Sequence, residues 1–233
     1  DMVVAEYSLA SGNIFTVRYT LLEGGILSVE SDFKGVKSSK PVDVPRIGFR
    51  MRLPASADSF TYLGRGPEEN YADRFGGTLI GEYSSSASKE YVRYVRPQEC
   101  GHHIDCEYLS IGGLAIRSDR FEFNALRCAV EDLDSEEAVQ RDYQWENKGP
   151  LTENDPAKAK NRLRRQTHIN DYVERDFVEV CVDYAQSGVG GYDSWGSRPD
   201  GDRCLWSDRD YSFRFAIVPA RAMGVRKSLG FDF

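Results

Sequence analysis

Apolar and polar residues alternate along several short stretches of the chain, which is the pattern of a β-strand with one buried side and one solvent-facing side. Six stretches show this alternation: 15–21, 27–33, 47–53, 121–125, 178–184 and 211–217. Glu23-Gly24-Gly25 separates the first two stretches and predicts the turn of a β-hairpin. No regular helical spacing lies between the stretches. The pattern therefore predicts an all-β fold, a large antiparallel β-sandwich, and not a parallel α/β fold.

One segment, residues 131–166, departs from the alternation. Its first part is highly charged, and Asp155-Pro156 then has the pattern of a helix N-cap followed by proline at the first helical position. No linker rich in Ser, Gly or Pro divides the chain. We therefore predict a single domain over residues 1–233 that carries one short, partly helical insertion at about 131–166.

The net charge disfavours two classes of partner, and the cysteine content disfavours a fold held by disulfides. The 233 residues carry a net charge of −7, which disfavours nucleic acid and anionic membrane as partners, since both are bound by basic surfaces. No apolar stretch approaches the roughly 20 residues of a membrane span. The chain starts at Asp1 and not at Met, so we expect either a processed chain or, in preference, a piece of a longer protein. The five cysteines do not suggest a disulfide framework, and Cys128 and Cys181 fall in apolar runs that predict buried thiols.

Charged residues crowd into the motif LGRGPEENYADR, residues 63–74, after a strand that carries Phe60 and Tyr62. A nucleotide-binding loop is a poor fit, because the glycine spacing is wrong and no helix clearly follows. A catalytic carboxylate pair is an alternative, but the adjacent Glu68 and Glu69 point in different directions, whereas glycosidase carboxylates flank the scissile bond. We favour a loop that internal Asp–Arg and Glu–Arg hydrogen bonds hold together. The residues assigned to support it are Gly64, Gly66, Pro67, Glu69, Tyr71, Asp73 and Arg74.

Two histidines and two cysteines lie within RPQECGHHIDC, residues 96–106, and zinc binding is one interpretation. The C-x5-C spacing is poor for zinc, and the adjacent His102 and His103 point to opposite faces of an extended segment. A loop at a strand edge, in which Pro97-Gln98-Glu99 shapes a groove, fits better. His168, beside Asn170 and Asp171, has no accompanying nucleophile motif such as G-x-S-x-G and is interpreted as structural.

A single tryptophan stands among glycine, serine, aspartate and proline in GVGGYDSWGSRPDG, residues 188–201. Gly190 and Gly191 permit positive φ, while Asp193 and Ser194 can hydrogen-bond the backbone of the turn. These residues predict a rigid loop with Trp195 at its apex. An exposed indole is suited to stacking on the apolar face of a sugar ring. The alternative is a tryptophan that folds back over an open end of the sandwich or fills a domain interface.

Taken together, these motifs resemble the C-terminal domain, called the small chain, of the large bacterial β-galactosidases of glycoside hydrolase family two. The resemblance runs from Val44-Pro45-Arg46-Ile47-Gly48 through LGRGPEENYADR, YVRPQECG, FEFNAL and QTHIND to GVGGYDSWG, and ends near YSFRFAIVP. Residues 1–43 fit the start of the same domain less distinctively. Several motifs in a consistent order make a more specific signal than any one of them.

The resemblance implies the supersandwich fold that this domain shares with galactose mutarotases. It also implies that the catalytic glutamates lie in a barrel domain of the same polypeptide, so that no catalytic residue is expected in this chain. Trp195 would stack on the aglycone sugar of a galactoside substrate, within a substrate-binding loop that includes Gly191, Asp193 and Ser194. No cofactor is expected within the chain. Mg²⁺ and Na⁺ are expected in the full enzyme, with the magnesium ligands mainly in the barrel.

The sequence departs from the family pattern in two places and leaves alternatives open. Tyr192 stands where an acidic residue is common, and the segment 131–166 is longer than usual. One alternative is a free-standing sugar-binding or mutarotase-like module, in which the concave face of the sandwich would hold the sugar and Trp195 would form one wall. A mutarotase needs a paired histidine and glutamate, which His102 or His103 with a nearby glutamate could imitate, although no motif supports this. Another is a domain that only supports the enzyme or a homo-oligomer of it, with Trp195 buried at a contact. The compartment stays open between cytoplasm and periplasm.

Overall fold

The computed structural model describes residues 1–95, 99–133, 172–193 and 195–220. Within these residues every strand pairing is antiparallel, which confirms the predicted all-β class. The strands are β1 (Met2–Ser8), β2 (Ile14–Leu21), β3 (Leu27–Lys34), β4 (Arg46–Pro54), β5 (Ser59–Gly66), β6 (Leu79–Ser86), β7 (His102–Ile111), β8 (Leu114–Leu126), β9 (Phe177–Gln186) and β10 (Tyr211–Pro219).

The helical content of the described residues is limited to short 3-10 turns: Glu23–Gly25, Ala55–Ala57, Val130–Leu133 and Gly201–Arg203. The first of these joins β2 to β3, so the predicted hairpin is confirmed. None of the helices in this part of the chain is long and apolar enough to cross a membrane. Residues 134–166 of the predicted insertion, His168 and Ser194 lie outside the described residues, as do Pro97 and Gln98. The single domain over 1–233 stays a prediction.

The long strand β8 is the point at which the sheet divides. The main path of hydrogen-bonded strands runs β1-β2-β3-β10-β8-β7-β5-β6, and β9 pairs with both β8 and β4. On one edge β8 pairs with β7. On its other edge, residues 114–117 pair with β10 and residues 122–126 pair with β9. Two branches of the sheet therefore leave the same strand, one through β10 and one through β9.

The two branches face each other across an aromatic core. Phe49 of β4 lies with its ring centroid 5.9 Å from that of Phe15 on β2 and 5.2 Å from that of Phe215 on β10. Tyr184 of β9 meets Phe213 of β10 at 6.3 Å. These contacts make the sheet sandwich-like, because aromatic side chains of both branches are buried against one another. The finer likeness to the mutarotase supersandwich stays a prediction.

The alternating positions fill this core as the sequence predicts. Val178, Val180 and Val182 on β9 are fully buried, and so are Phe121 and Phe123 on β8. Both cysteines that were predicted to be buried, Cys128 and Cys181, are buried free thiols. The ends of β5 and β9 carry the chain out of this core and into the two loops described next.

Candidate functional site

The loop that follows β9 presents Trp195 to solvent. Its side chain is 93% exposed, which excludes a place in the core of the described structure. The base of the loop is fixed where the chain leaves β9: Gly188 N donates to Arg203 O at 2.8 Å, and Ser187 Oγ donates to Val44 O at 2.9 Å. A large apolar ring is thus held away from the protein on an anchored loop.

Hydrogen bonds inside the loop hold Trp195 at its apex. Asp193 Oδ1 accepts the backbone N–H of Trp195 at 2.7 Å and that of Ser197 at 3.2 Å. Gly191 N donates to Ser197 O at 2.8 Å and so joins the residues on either side of the turn that carries Trp195. Gly190 has φ of +63°, and a Cβ there would lie 2.5 Å from Ser197 O, so only glycine fits. The predicted backbone hydrogen bonds of Asp193 are therefore present.

Asp73 joins the 63–74 motif to the Trp195 loop. Its Oδ1 accepts the backbone N–H of Val189 at 3.0 Å, and its Oδ2 accepts that of Gly190 at 2.8 Å. Tyr192 donates its hydroxyl to the same Oδ2 at 3.0 Å. Gly188 permits this close approach, since a Cβ there would lie 2.6 Å from the Asp73 carboxyl. One carboxylate from outside the loop therefore fixes three of its residues, Val189, Gly190 and Tyr192.

Glu69 holds together the segment that presents Asp73. Its Oε2 accepts the hydroxyl of Tyr71 at 3.1 Å and the backbone N–H of Gly101 at 2.8 Å. Its Oε1 accepts Arg74 Nη2 at 2.9 Å and also the hydroxyl of Tyr94. With four donors on one side chain, Glu69 serves as a structural acceptor, which disfavours a catalytic role for it.

The structure corrects one detail of the predicted loop. The Glu–Arg bond inside the motif is present between Glu69 and Arg74. The predicted Asp–Arg bond is replaced, because Asp73 turns toward residues 189–192. No local sequence signal could show this link, since Asp73 and Gly190 are 117 residues apart.

The glycines of the motif allow close packing at the end of β5. A Cβ on Gly64 would collide with Cys106 Sγ, and a Cβ on Gly66 would collide with the Tyr62 hydroxyl. Gly66 is joined to Pro67 by a cis peptide bond. Asn70 then ties the segment to β7, since its backbone N–H donates to His102 O at 2.7 Å. The motif is thereby fixed against the sheet on both sides of Glu69.

His102 and His103 pair with different carboxylates, as their extended backbone predicts. His102 Nε2 lies 3.0 Å from Glu122 Oε2, and His103 Nε2 lies 2.9 Å from Glu90 Oε2. Both rings are fully buried. Burial lowers the pKa of His102 to about 3, so that its imidazole is neutral at neutral pH. A sugar at the protein surface could touch neither ring.

A buried polar network adjoins the base of the Trp195 loop. Arg46 Nη2 donates to Asp183 Oδ2 at 2.7 Å and to Asn124 Oδ1 at 2.9 Å. Burial raises the pKa of Asp183 to about 7, although the neighbouring guanidinium opposes this shift. Arg46 also lines a cavity of about 180 Å³, together with Asp43, Glu99 and residues 186–189. Glu99 therefore borders this cavity, which reaches the first residues of the Trp195 loop. The predicted groove also involves Pro97 and Gln98, which lie outside the described residues.

Within residues 1–95, 99–133, 172–193 and 195–220, no three His, Cys, Asp or Glu side chains lie together so as to hold a metal ion. His102 and His103, which could have served as ligands, are paired with glutamates instead.

Comparison with known proteins gives the family. The chain matches the family model described as beta galactosidase small chain over residues 1–217. It is 28% identical over 228 residues to a β-galactosidase of Priestia megaterium, a match that covers 94% of the chain and 19% of that protein. It is 26% identical over 214 residues to a β-galactosidase of Actinobacillus pleuropneumoniae, covering 91% of the chain and 18% of that protein.

A third relative gives the same result. The chain is 30% identical over 201 residues to a β-galactosidase of Pseudoalteromonas haloplanktis, and the match covers 86% of the chain and 16% of that protein. The chain thus spans less than a fifth of the length of these relatives. On the family match over residues 1–217, the chain belongs to the β-galactosidase small-chain family.

Proposed function

We propose that the chain is a non-catalytic domain of a longer β-galactosidase that hydrolyses terminal β-D-galactosides. Trp195 would contribute to the aglycone subsite of an active site whose catalytic carboxylates lie in a barrel domain of the same polypeptide. The observation that carries the proposal is the Trp195 ring, 93% exposed on a loop that Asp73, Asp193 and Gly190 hold in one conformation.

The energetic argument is one of preorganisation. A free side chain loses rotamer freedom when it binds a ligand, and a loop loses backbone freedom as well. The hydrogen bonds of the Trp195 loop offset much of that cost before any ligand arrives. Ring stacking on an aromatic side chain contributes about 1–3 kcal/mol per ring, by analogy with base stacking. An indole held in this way is suited to stacking on one sugar of a substrate whose other sugar is bound by the barrel domain.

Four carboxylates of the described residues support a non-catalytic role. Glu69 accepts four donors and Asp73 accepts three, which leaves neither poised to attack or protonate a glycosidic bond. Glu90 and Glu122 are buried against the two histidines. None of these four side chains is therefore a candidate acid or nucleophile, and the proposal assigns hydrolysis to acids of the barrel domain, while Trp195 supplies binding energy at the sugar.

The alternative of a mutarotase-like module receives less support from the geometry. It requires a histidine and a carboxylate that reach a sugar, yet both histidine–glutamate pairs are buried. The cavity beside the loop is lined by neither histidine. Polarimetry of α-galactose with the purified chain tests this alternative directly: mutarotation above the uncatalysed rate would favour it over our proposal.

The experiment that tests the proposal uses the intact polypeptide that carries this chain. The change Trp195→Ala should raise KM for lactose by roughly 5- to 150-fold, the range that corresponds to about 1–3 kcal/mol. A smaller effect is expected on small aryl galactosides. Val3→Ala, at an exposed apolar side chain of the edge strand β1, is the matched control and should leave KM unchanged. Equal KM values for Trp195→Ala and the parent enzyme would contradict the role of Trp195.

A second experiment tests where the carboxylates lie. The purified 233-residue chain should not hydrolyse an aryl β-galactoside, whereas the intact polypeptide should. Turnover by the purified chain alone would show that the acids are in it and would overturn their assignment to another domain.

A further inference from the structure

Tyr192 is a second exposed aromatic ring on the Trp195 loop. Its side chain is 56% exposed and precedes Trp195 by three residues. Neither ring stacks on another aromatic ring within the part of the chain that the structure describes. The loop therefore offers two separate ring faces to solvent.

The Asp73 carboxylate, which anchors the loop, also binds the Tyr192 hydroxyl. Its hydroxyl donates to Asp73 Oδ2 at 3.0 Å, and that oxygen also accepts the backbone N–H of Gly190 at 2.8 Å. Desolvation and the hydrogen bond to Asp73 raise the pKa of the Tyr192 phenol, so it stays protonated and able to donate at neutral pH. Because the Tyr192 hydroxyl is bonded to Asp73, a ligand would contact the faces of the ring.

The short segment between Tyr192 and Trp195 limits how far apart their backbones can lie. Three residues of even a fully extended chain span at most about 11 Å, which bounds the distance between the Cα atoms of Tyr192 and Trp195. The inference places both rings along one short oligosaccharide. Because they do not contact each other, each can take its own sugar ring. The polar edge of a sugar at Tyr192 would lie near the Asp73 carboxylate, whose oxygens can accept from hydroxyl groups.

We infer that Tyr192 forms a second saccharide subsite beyond Trp195, and that the substrates this site favours are β-galactosyl oligosaccharides with two or more sugar units on the aglycone side. The inference rests on the proposed function, in which Trp195 binds the first aglycone sugar. It adds a binding residue and a substrate class: Trp195 would serve disaccharides and longer chains alike, whereas Tyr192 would distinguish between them.

The experiment compares two substrates in the intact polypeptide: lactose, with one aglycone sugar, and the trisaccharide β-galactosyl-lactose, with two. The quantity measured is the ratio of kcat/KM for the trisaccharide to kcat/KM for lactose. Tyr192→Ala should lower this ratio by about fivefold or more, the lower end of what ring stacking contributes. Any general loosening of the loop affects both substrates through Trp195 and cancels in the ratio.

Tyr192→Phe is the matched variant. It keeps the ring and removes the hydroxyl bond to Asp73, so the ratio should stay within about twofold of the parent value. A ratio that is unchanged in Tyr192→Ala would overturn the second subsite and would indicate a ring that only braces the loop or contacts another domain. A ratio that falls equally in both variants would also overturn it, since the hydroxyl and not the ring face would then be responsible.

The variant Trp195→Ala separates failure of this inference from failure of the proposed function. If it raises KM for lactose while Tyr192→Ala leaves the ratio unchanged, the aglycone role of Trp195 stands and the second subsite is rejected. If it changes KM for neither substrate, the proposed function itself fails.

Discussion

Asp73 Oδ2 lies 2.8 Å from the backbone nitrogen of Gly190, although the two residues are 117 positions apart in the sequence. The contact joins the segment after β5 to the loop after β9. It places the Asp73 carboxylate against the backbone of the residues that precede Trp195. Hydrogen bonds to a charged acceptor are stronger than those between neutral groups, with a net contribution of about 1.5–3 kcal/mol each. The position of Trp195 therefore depends on a residue outside its own loop.

We expect Asp73→Ala to release the Trp195 loop. Two backbone N–H groups lose their acceptor, so hydrogen exchange at Val189 and Gly190 should accelerate by about tenfold or more. Asp73→Asn keeps one oxygen acceptor and should show an intermediate rate. Amide exchange measured by NMR on the chain checks this. Asp119→Ala, at an exposed aspartate of β8, is the control. Exchange at Val189 and Gly190 that matches the parent chain in Asp73→Ala would contradict the anchoring role.

Glu69 should contribute more to global stability than its neighbour Glu68. Glu69→Gln replaces one acceptor oxygen by an amide nitrogen that cannot accept, which leaves donors such as Gly101 N or Arg74 unpaired. We expect the free energy of unfolding to fall by about 2–4 kcal/mol, measured by urea denaturation. Glu68→Gln, at an exposed side chain, should change it by less than about 0.5 kcal/mol. Equal effects of the two substitutions would show that the Glu69 network adds nothing.

The sequence predicted those parts of the fold that local pattern controls. The alternation predicted β2, β3, β4, β9, β10 and the second half of β8, because each has apolar side chains that face the core. It did not indicate β1, whose residues are almost all exposed at the edge of the sheet, so that burial does not impose a period of two. The dual pairing of β8 with β10 and β9 also lacks a local signal, since it depends on how distant strands pack.

The contacts of the candidate site also fall into those that the local sequence predicts and those that it does not. Asp193 bonds the turn in which it lies, and Glu69 bonds Arg74 five residues away, so spacing and residue type were sufficient to predict both contacts. The bonds from Asp73 to residues 189–192 cross between loops that only the folded sheet brings together. For the same reason the sequence could not show that His102 faces Glu122 on the neighbouring strand.

Gly190 should tolerate alanine less well than Gly191. Both have positive φ, which costs an L-residue roughly 1–2 kcal/mol. A Cβ at Gly190 would also press against the backbone, 2.5 Å from Ser197 O, whereas Gly191 has nothing within 4 Å of its Cβ position. Gly190→Ala should therefore disturb the bond from Trp195 N to Asp193 and speed exchange of the Trp195 amide beyond the effect of Gly191→Ala. Equal exchange rates in the two variants would contradict the packing argument.

The buried carboxyl of Glu122 should make stability fall as pH rises. Its side chain is nearly inaccessible, and burial raises its pKa to about 7, against the opposing effect of the hydrogen bond from Gln186 N. In the unfolded chain a glutamate titrates near pH 4.5. Between about pH 4.5 and 7 the folded state therefore binds more protons than the unfolded state, and the free energy of unfolding declines with rising pH. The stabilising contribution is complete below pH 4.5 and is lost as pH passes 7.

His102 has the opposite effect on stability, which it raises as pH rises. Burial lowers the pKa of His102 to about 3, so the folded state binds fewer protons than the unfolded state between about pH 3 and 6.5. The effect of Glu122 is therefore measured as a difference between the parent and Glu122→Gln, whose side-chain oxygen can still accept a hydrogen bond from His102 or Gln186 but which cannot ionise. The free energy of unfolding of the parent minus that of the variant should fall by about 1–3 kcal/mol between pH 4.5 and 8. Glu107→Gln, at an exposed position of β7, should follow the parent across this range. A parent-minus-variant difference that is flat or rises with pH would show that Glu122 is ionised throughout, and that its bonds to His102 and Gln186 outweigh its burial.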